Sequence, residues 1–216
     1  DNEQDHLQLL VDSAADLAAT LNAVLIEHNR EPVTLDAVRA MIGDGVGALV
    51  HRGFAATGRP LGSGELSTLT GHFLDIYIDP NRDHIAHPYP GVTDTLRIFA
   101  NLGVRMGVCT NKAQVATDLV LHNAGLSDFF SAVIGHDKAP APKPDPAHVL
   151  CVCAALGHPK SAVMVGDSLN DLLAGHRAGL KVLLTTYGYG TPEALSQANA
   201  TFDRFDQLPA LIASLD

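Results

Sequence analysis

Tryptophan is absent from this chain, aromatic residues make up 5% of it, and lysine with arginine number only 14 against 24 acids. The shortage of cations, with a net charge of −10 and no basic cluster, argues against nucleic acid or an anionic membrane as partner. No stretch approaches the ~18 consecutive apolar residues of a membrane span, and no signal peptide opens the chain. Both observations predict a cytoplasmic protein. Cysteine is scarce as well. Cys109, Cys151 and Cys153 are an odd number at spacings that fit neither a zinc site nor a disulfide framework, so they read as reduced, buried thiols. What is there is a chain of 216 residues, 46% hydrophobic, enough for one large domain or for a core carrying a smaller insertion.

The most informative stretch is Ala162 to Asp171, an apolar run that stops at a glycine followed by two acids. Ala162 to Val165 predict a buried strand of a parallel sheet, short and apolar without alternation. Gly166 allows a tight turn or a close approach, Asp167 ends the strand, and Ser168 opens a helix running to about Gly179. Open α/β sheets bind ligands at the carboxyl ends of their strands. Asp167 and Asp171 could hold a hard cation there through oxygen ligands. Ser168 with Asp171 also forms a capping box, and acids suit a helix N-terminus. Capping accounts for Ser168 and Asp171 but not for an acid at the strand end.

Before this stretch the chain reads in two parts. From Ser13, a candidate N-cap, Leu17, Leu21, Val24 and Leu25 recur at helical spacing to about His28. Thr34 caps a second helix, a glycine-rich turn from Gly43 to Gly47 leads into a third (to about Thr57), and Gly62 to Pro80 hold a fourth. After the connector His84 to Pro90, helices alternate with strands. The strands are Val104 to Cys109, Ala132 to Ile134, Ala162 to Val165, Lys181 to Thr185 and Ala200 to Phe202. Alternation of this kind means right-handed crossovers and a parallel sheet. The expected fold class is α/β: a doubly wound parallel core, residues 1–12 and 88–216, interrupted by an all-helical insert, residues 13–87.

Two further strand ends carry polar groups. Thr110, Asn111 and Lys112 follow Val108 and Cys109 and suit a phosphate at a helix start, though Thr110 or Asn111 could simply cap that helix. Lys143 sits between prolines in Ala139-Pro-Ala-Pro-Lys-Pro-Asp-Pro146, a stiff loop that could aim one ammonium at an anion or leave it solvated. The pair His84 and His87 has no third ligand nearby and reads as solvated or packed. Gly43 to Gly47 lacks the Lys-Ser/Thr of a phosphate loop.

In the order Thr-Asn-Lys, Lys-Pro-x-Pro, Gly-Asp-Ser-x-x-Asp, these segments resemble the haloacid dehalogenase superfamily. Leu10 to Leu17, Met41 to Gly45, Tyr89-Pro-Gly-Val92 and Thr186 to Gly190 resemble its phosphoglycolate phosphatase branch. The resemblance implies a haloacid-dehalogenase-like core with a helical cap domain. It also implies a Mg²⁺-dependent phosphomonoesterase, monomeric or homodimeric, acting on a small phosphorylated metabolite such as 2-phosphoglycolate through an aspartyl phosphate. By the same resemblance Thr110, Asn111, Lys112 and Lys143 bind phosphate, Thr110 and Lys143 are catalytic, and Asp167 and Asp171 hold the metal.

The family opens on an apolar strand and Asp-x-Asp-Gly-Thr-Leu, and here the chain departs from it. Anchoring on Leu10 to Ser13 puts Asp5 at the nucleophile and metal-ligand position, with Leu7 where the general acid/base belongs and Gln8 and Leu9 in place of Gly and Thr. Asp1 to Gln4 are wholly polar, unsuited to the middle of a sheet. A second register makes His6 to Val11 the strand and Asp12 its terminal acid. A catalytically impaired relative, binding phosphate or Mg²⁺ as a regulatory module, is the competing reading.

Overall fold

The computed structural model of the chain describes residues 9–42, 45–79, 86–188 and 190–215. Asp5, Leu7, Gln8, the Gly43-Asp44 pair, Pro80, His84 and Tyr189 lie outside the described residues. The described chain divides into two compact units, residues 12–87 and residues 9–11 with 88–215. The chain passes between them along β1 (Val11–Asp12) and β2 (His87–Pro88), which pair as a two-stranded sheet.

The first unit is built from α1 (Ala14–Glu27), α2 (Leu35–Met41), α3 (Gly45–Ala56) and α4 (Ser63–Tyr77). Its core follows from helical periodicity: Leu21, Val24, Val50, Phe54 and Phe73 are fully or almost fully buried, and Phe73 stacks on Tyr77 at 6.1 Å. Thr34 caps α2 by accepting the Ala37 N–H at 3.2 Å. Ser13 makes no capping bond at the start of α1. The Asp12 carboxylate accepts the Ala14 N–H instead, at 3.1 Å.

The second unit runs α5 (Val92–Asn101), β3 (Met106–Cys109), α6 (Gln114–Asn123), β4 (Phe130–Ile134), α7 (Pro146–Ala155), β5 (Val163–Gly166), α8 (Leu169–Arg177), β6 (Lys181–Thr185), α9 (Pro192–Gln197), β7 (Ala200–Phe202) and α10 (Leu208–Ala213). Every pairing among β3 to β7 is parallel. Val108 lies opposite Val133, Met164 opposite Val182, and Leu184 opposite Thr201. Strand–helix alternation therefore produces the doubly wound layering that it predicts. Val149, Met164, Leu172, Val182, Leu184 and Ala194 form the core cluster between sheet and helices.

The described strands fall into two sheets, β3-β4 and β5-β6-β7. β6, paired on both sides, is fully buried from Val182 to Thr185, whereas β3 and β5 are only partly buried. Between these two strands lies a cavity of about 370 Å³ with a largely apolar lining, walled also by α5, α7 and α10. Leu9 and Leu10 reach it as well. The Leu9 carbonyl accepts from the Tyr187 hydroxyl at 3.3 Å, and the Leu10 carbonyl from the Tyr89 N–H at 3.0 Å.

Candidate active site

The carboxyl ends of β3 and β5 and the loop before α7 meet around one buried ammonium. Lys143, 2% exposed, donates from Nζ to Asp171 Oδ1 at 2.7 Å and to the Cys109 carbonyl at 2.5 Å. Asn111 holds the lysine's backbone from both sides. Its Nδ2 donates to the Lys143 carbonyl at 2.9 Å, and its Oδ1 accepts the Lys143 N–H at 2.9 Å. A carboxamide used in this way reproduces a strand-like pair of bonds and fixes the loop against the β3 end. Neither Thr110 nor Asn111 caps α6, whose N-cap is Ala113. Thr110 Oγ1 instead accepts the Lys112 N–H at 3.1 Å, and Thr110 is completely buried.

At the β5 end, Ser168 caps α8 by accepting the Asp171 N–H at 3.3 Å. The Asp171 carboxylate returns the contact: Oδ2 accepts from Ser168 Oγ at 2.9 Å and from the Asp167 N–H at 3.0 Å. Both Asp171 oxygens are thus engaged by protein donors, and an acid in the first turn also suits the positive end of α8. Gly166 is required here. A Cβ on it would stand 2.3 Å from the Cβ of Asp171. Asp167 is 1% exposed at the strand end, and Gly188 gives it room in the same way, since a Cβ there would lie 2.3 Å from the Asp167 Cβ.

Burial opposes the positive charge on Lys143, but the Asp171 carboxylate, aided by Cys109 and Asp167, more than offsets this, so the ammonium titrates above the ordinary lysine value. Burial pushes the Cys109 thiol up to about 12, against the pull of the Lys143 charge. At that value about one molecule in ten thousand carries a thiolate at pH 8. In folded protein at pH 8, iodoacetamide is therefore expected to leave Cys109 unlabelled while the denatured chain takes it up, read by peptide mass spectrometry. Prompt labelling of Cys109 in the folded state would mean that this strand end is open.

The phosphate-binding residues expected from the sequence, Thr110, Asn111, Lys112 and Lys143, are all buried in the same unit as Asp167 and Asp171. Asp12 belongs to the helical unit, where Arg39 Nη2 donates to its Oδ2 at 3.2 Å. Asp5 lies outside the described residues. Sequence reasoning gave no sign of three features: the Asn111 clamp, the Lys143–Asp171 pair, and the steric need for glycine at 188. Each joins residues far apart in the chain. Among the described residues no group of three or more His, Cys, Asp or Glu side chains is arranged to hold a metal. Asp167 and Asp171, two buried carboxylates beside the end of β5, have the oxygen chemistry that suits a hard divalent cation.

The family described as haloacid dehalogenase-like hydrolase matches residues 8–185. A phosphoglycolate phosphatase of Caulobacter vibrioides is 44% identical over 181 residues, covering 83% of this chain and 76% of the relative. One of Psychrobacter arcticus is 37% identical over 210 residues, covering 94% and 90%. The crystal structure of a predicted phosphoglycolate phosphatase from Haemophilus somnus superposes with a TM-score of 0.80 at 31% identity, over 94% of this chain and 93% of that one. A buried lysine held at the carboxyl edge of a parallel α/β core, a strand-end acid and these matches lead to one assignment: the chain belongs to the haloacid dehalogenase-like hydrolases.

Proposed function

We propose that this hydrolase is a Mg²⁺-dependent phosphomonoesterase acting on a small phosphorylated metabolite, with 2-phosphoglycolate the leading substrate. The observation that carries the reading is Lys143, a buried ammonium fixed at its backbone by Asn111 and at its side chain by Asp171 and the Cys109 carbonyl. An ammonium, a hydroxyl and helix-start N–H groups that converge on one strand edge suit the spread charge of a transferring phosphoryl group. The names of the similar proteins support the substrate class.

In this reading Lys143 and Thr110 bind the phosphoryl oxygens, and Asn111 and Lys112 hold the β3 loop in place. Asp167 would hold Mg²⁺, with Asp171 helping directly or through water, and Asp171 also orients Lys143. When bound, Mg²⁺ would neutralise charge on the phosphoryl oxygens. A carboxylate attacks phosphorus and the P–O bond to the substrate breaks, the departing alkoxide taking a proton from solvent water. A second water then attacks phosphorus and releases inorganic phosphate, its proton passing to solvent and the carboxylate being regenerated. Asp5 is the proposed nucleophile and third metal ligand. Residues 13–87 serve as the cap domain, and the enzyme works in the cytoplasm as a monomer or homodimer. Membrane and nucleic acid are not proposed as partners; no helix among the described residues is long and apolar enough to cross a membrane.

The second reading, a phosphate- or Mg²⁺-binding relative without turnover, is favoured by Leu7 at the position of the acid/base. Loss of that group costs about 10²–10⁴ in rate. Asp167→Ala is expected to abolish both Mg²⁺-induced thermal stabilisation and phosphate release from 2-phosphoglycolate. Stabilisation unchanged by the substitution would move the metal elsewhere. Mg²⁺-induced stabilisation without any turnover in the unsubstituted protein would select the second reading.

A further inference from the structure

We propose, resting on the phosphatase reading of the Thr110 to Lys112 loop, that His148 is a positioning residue for that loop. It acts through the Ile134 carbonyl, and it sets the hydroxyl of Thr110 at a fixed place relative to the ammonium of Lys143.

His148 stands in the first turn of α7 and is completely buried. The rest of that helix, Pro-Ala-His-Val-Leu-Cys-Val-Cys-Ala-Ala, carries no charged side chain, so a leucine would suit the position by polarity and volume. An imidazole buried there is costly unless it is hydrogen-bonded. Its Nε2 lies 3.0 Å from the Ile134 carbonyl oxygen at the end of β4. A carbonyl only accepts, so Nε2 carries the hydrogen and donates it. The same oxygen accepts the Thr110 N–H at 3.2 Å.

That shared oxygen joins two parts of the site. Thr110 extends the parallel β3–β4 ladder by one bond beyond Cys109, which lies opposite Ile134. If the Ile134 carbonyl swings, the Thr110 N–H and its side chain follow; a second donor on the oxygen restrains the swing. Asn111 and Lys112 have anchors of another kind. The His136 Nδ1 donates to the Asn111 carbonyl at 2.8 Å, and the His136 N–H donates to the Lys112 carbonyl at 3.1 Å. Gly135 permits this approach, since a Cβ on it would stand 2.8 Å from the Lys112 carbonyl oxygen. Helix α7 begins just past Lys143, with Asp145 as its N-cap accepting the Ala147 N–H at 2.8 Å. His148 therefore links the helix that carries the ammonium loop to the strand end that places the hydroxyl. Two groups that grip one phosphoryl group need that separation held, because a displacement of about 1 Å costs much of their effect.

The test measures the dissociation constant of inorganic phosphate by isothermal titration calorimetry, with Mg²⁺, in the unsubstituted protein, His148→Leu and His148→Gln. Leucine removes the donor, whereas the glutamine carboxamide puts one near the place of Nε2. We expect phosphate to bind about tenfold more weakly to the leucine variant, as the loss of one hydrogen bond implies. Glutamine should restore the constant to within about threefold, and kcat/KM on 2-phosphoglycolate should follow the same order. A folding defect lowers the stoichiometry of such a titration and leaves the constant alone, so a merely structural histidine would not shift it. His148→Asn, one methylene shorter and out of reach of the Ile134 oxygen, replaces the leucine variant if that one does not fold. Unchanged affinity in the leucine variant, or equal weakening in the leucine and glutamine variants, would overturn the proposal. Unsubstituted protein that neither binds phosphate nor hydrolyses 2-phosphoglycolate would overturn the phosphatase reading, and the role of His148 with it, before any variant is compared.

Discussion

Asp171→Asn is expected to destabilise the protein by about 3–5 kcal/mol, because it leaves the Lys143 ammonium buried without its carboxylate. Lys143 and Asp171 have side chains 0% and 1% exposed, so water does not replace the lost partner. The amide also brings a donor to where Ser168 Oγ and the Asp167 N–H already point donors at Oδ2. The pH dependence follows from the raised Lys143 titration. A raised folded value stabilises fully below the ordinary lysine value and is lost as pH climbs through the folded one. In the variant the sign reverses: the folded state now prefers the neutral amine, and the penalty shrinks as pH rises through about 10.4. The gap between the two proteins should therefore be wide at pH 7 and narrower at alkaline pH. Urea midpoints at both values, with unchanged slopes, measure it. A gap under about 1 kcal/mol, equal at both pH values, would show the pair to be a screened surface contact. Replacing both residues by apolar ones should recover much of the loss.

Gly188→Ala is the second large effect. The new methyl would stand 2.3 Å from the Asp167 Cβ, 2.9 Å from its carbonyl oxygen and 3.0 Å from its Cα. Backbone cannot rotate out of the way as a side-chain tip can, so overpacking should cost about 1–3 kcal/mol and push Asp167 off the strand end. We expect thermal stabilisation by Mg²⁺ to weaken at least in proportion. Gly71→Ala is the control. Gly71 lies mid-way along α4 with nothing within 4 Å of the new methyl, so a gain of up to about 1 kcal/mol in helix propensity is expected. Wild-type Mg²⁺ response in Gly188→Ala would mean that Asp167 does not need its observed position.

The elements that periodicity could register were legible in the sequence. The apolar strands β3, β5 and β6 and the helices α1 and α8 fall where spacing and caps put them, within a residue or two. α9 was not seen. It is six residues long, too short to show an apolar period, although Thr191 and Pro192 are a helix-start pair and Thr191 accepts the Ala194 N–H. α6 begins at Gln114, beyond the Thr110-Asn111-Lys112 segment rather than on it, because Asn111 is committed to the Lys143 loop across 32 residues of sequence. Tertiary demands of this kind leave no local trace. The same holds for Asp171: its spacing from Ser168 reads as a cap, and it is one, yet its other oxygen serves a lysine 28 positions away.

The backbone bond between Tyr89 N and Leu10 O, 3.0 Å long, has a consequence for how such a protein can change over evolution. It brings together the two points at which the core chain leaves for the helical unit and returns from it. Closing a flexible loop costs free energy only as the logarithm of its length. The core therefore meets a long excursion and a short one at nearly the same cost. Insertions, deletions or wholesale exchange of the intervening helices can be absorbed there without disturbing strand register. A tight turn joining Leu10 to Tyr89 would leave the Lys143, Asp167 and Asp171 constellation on the same scaffold.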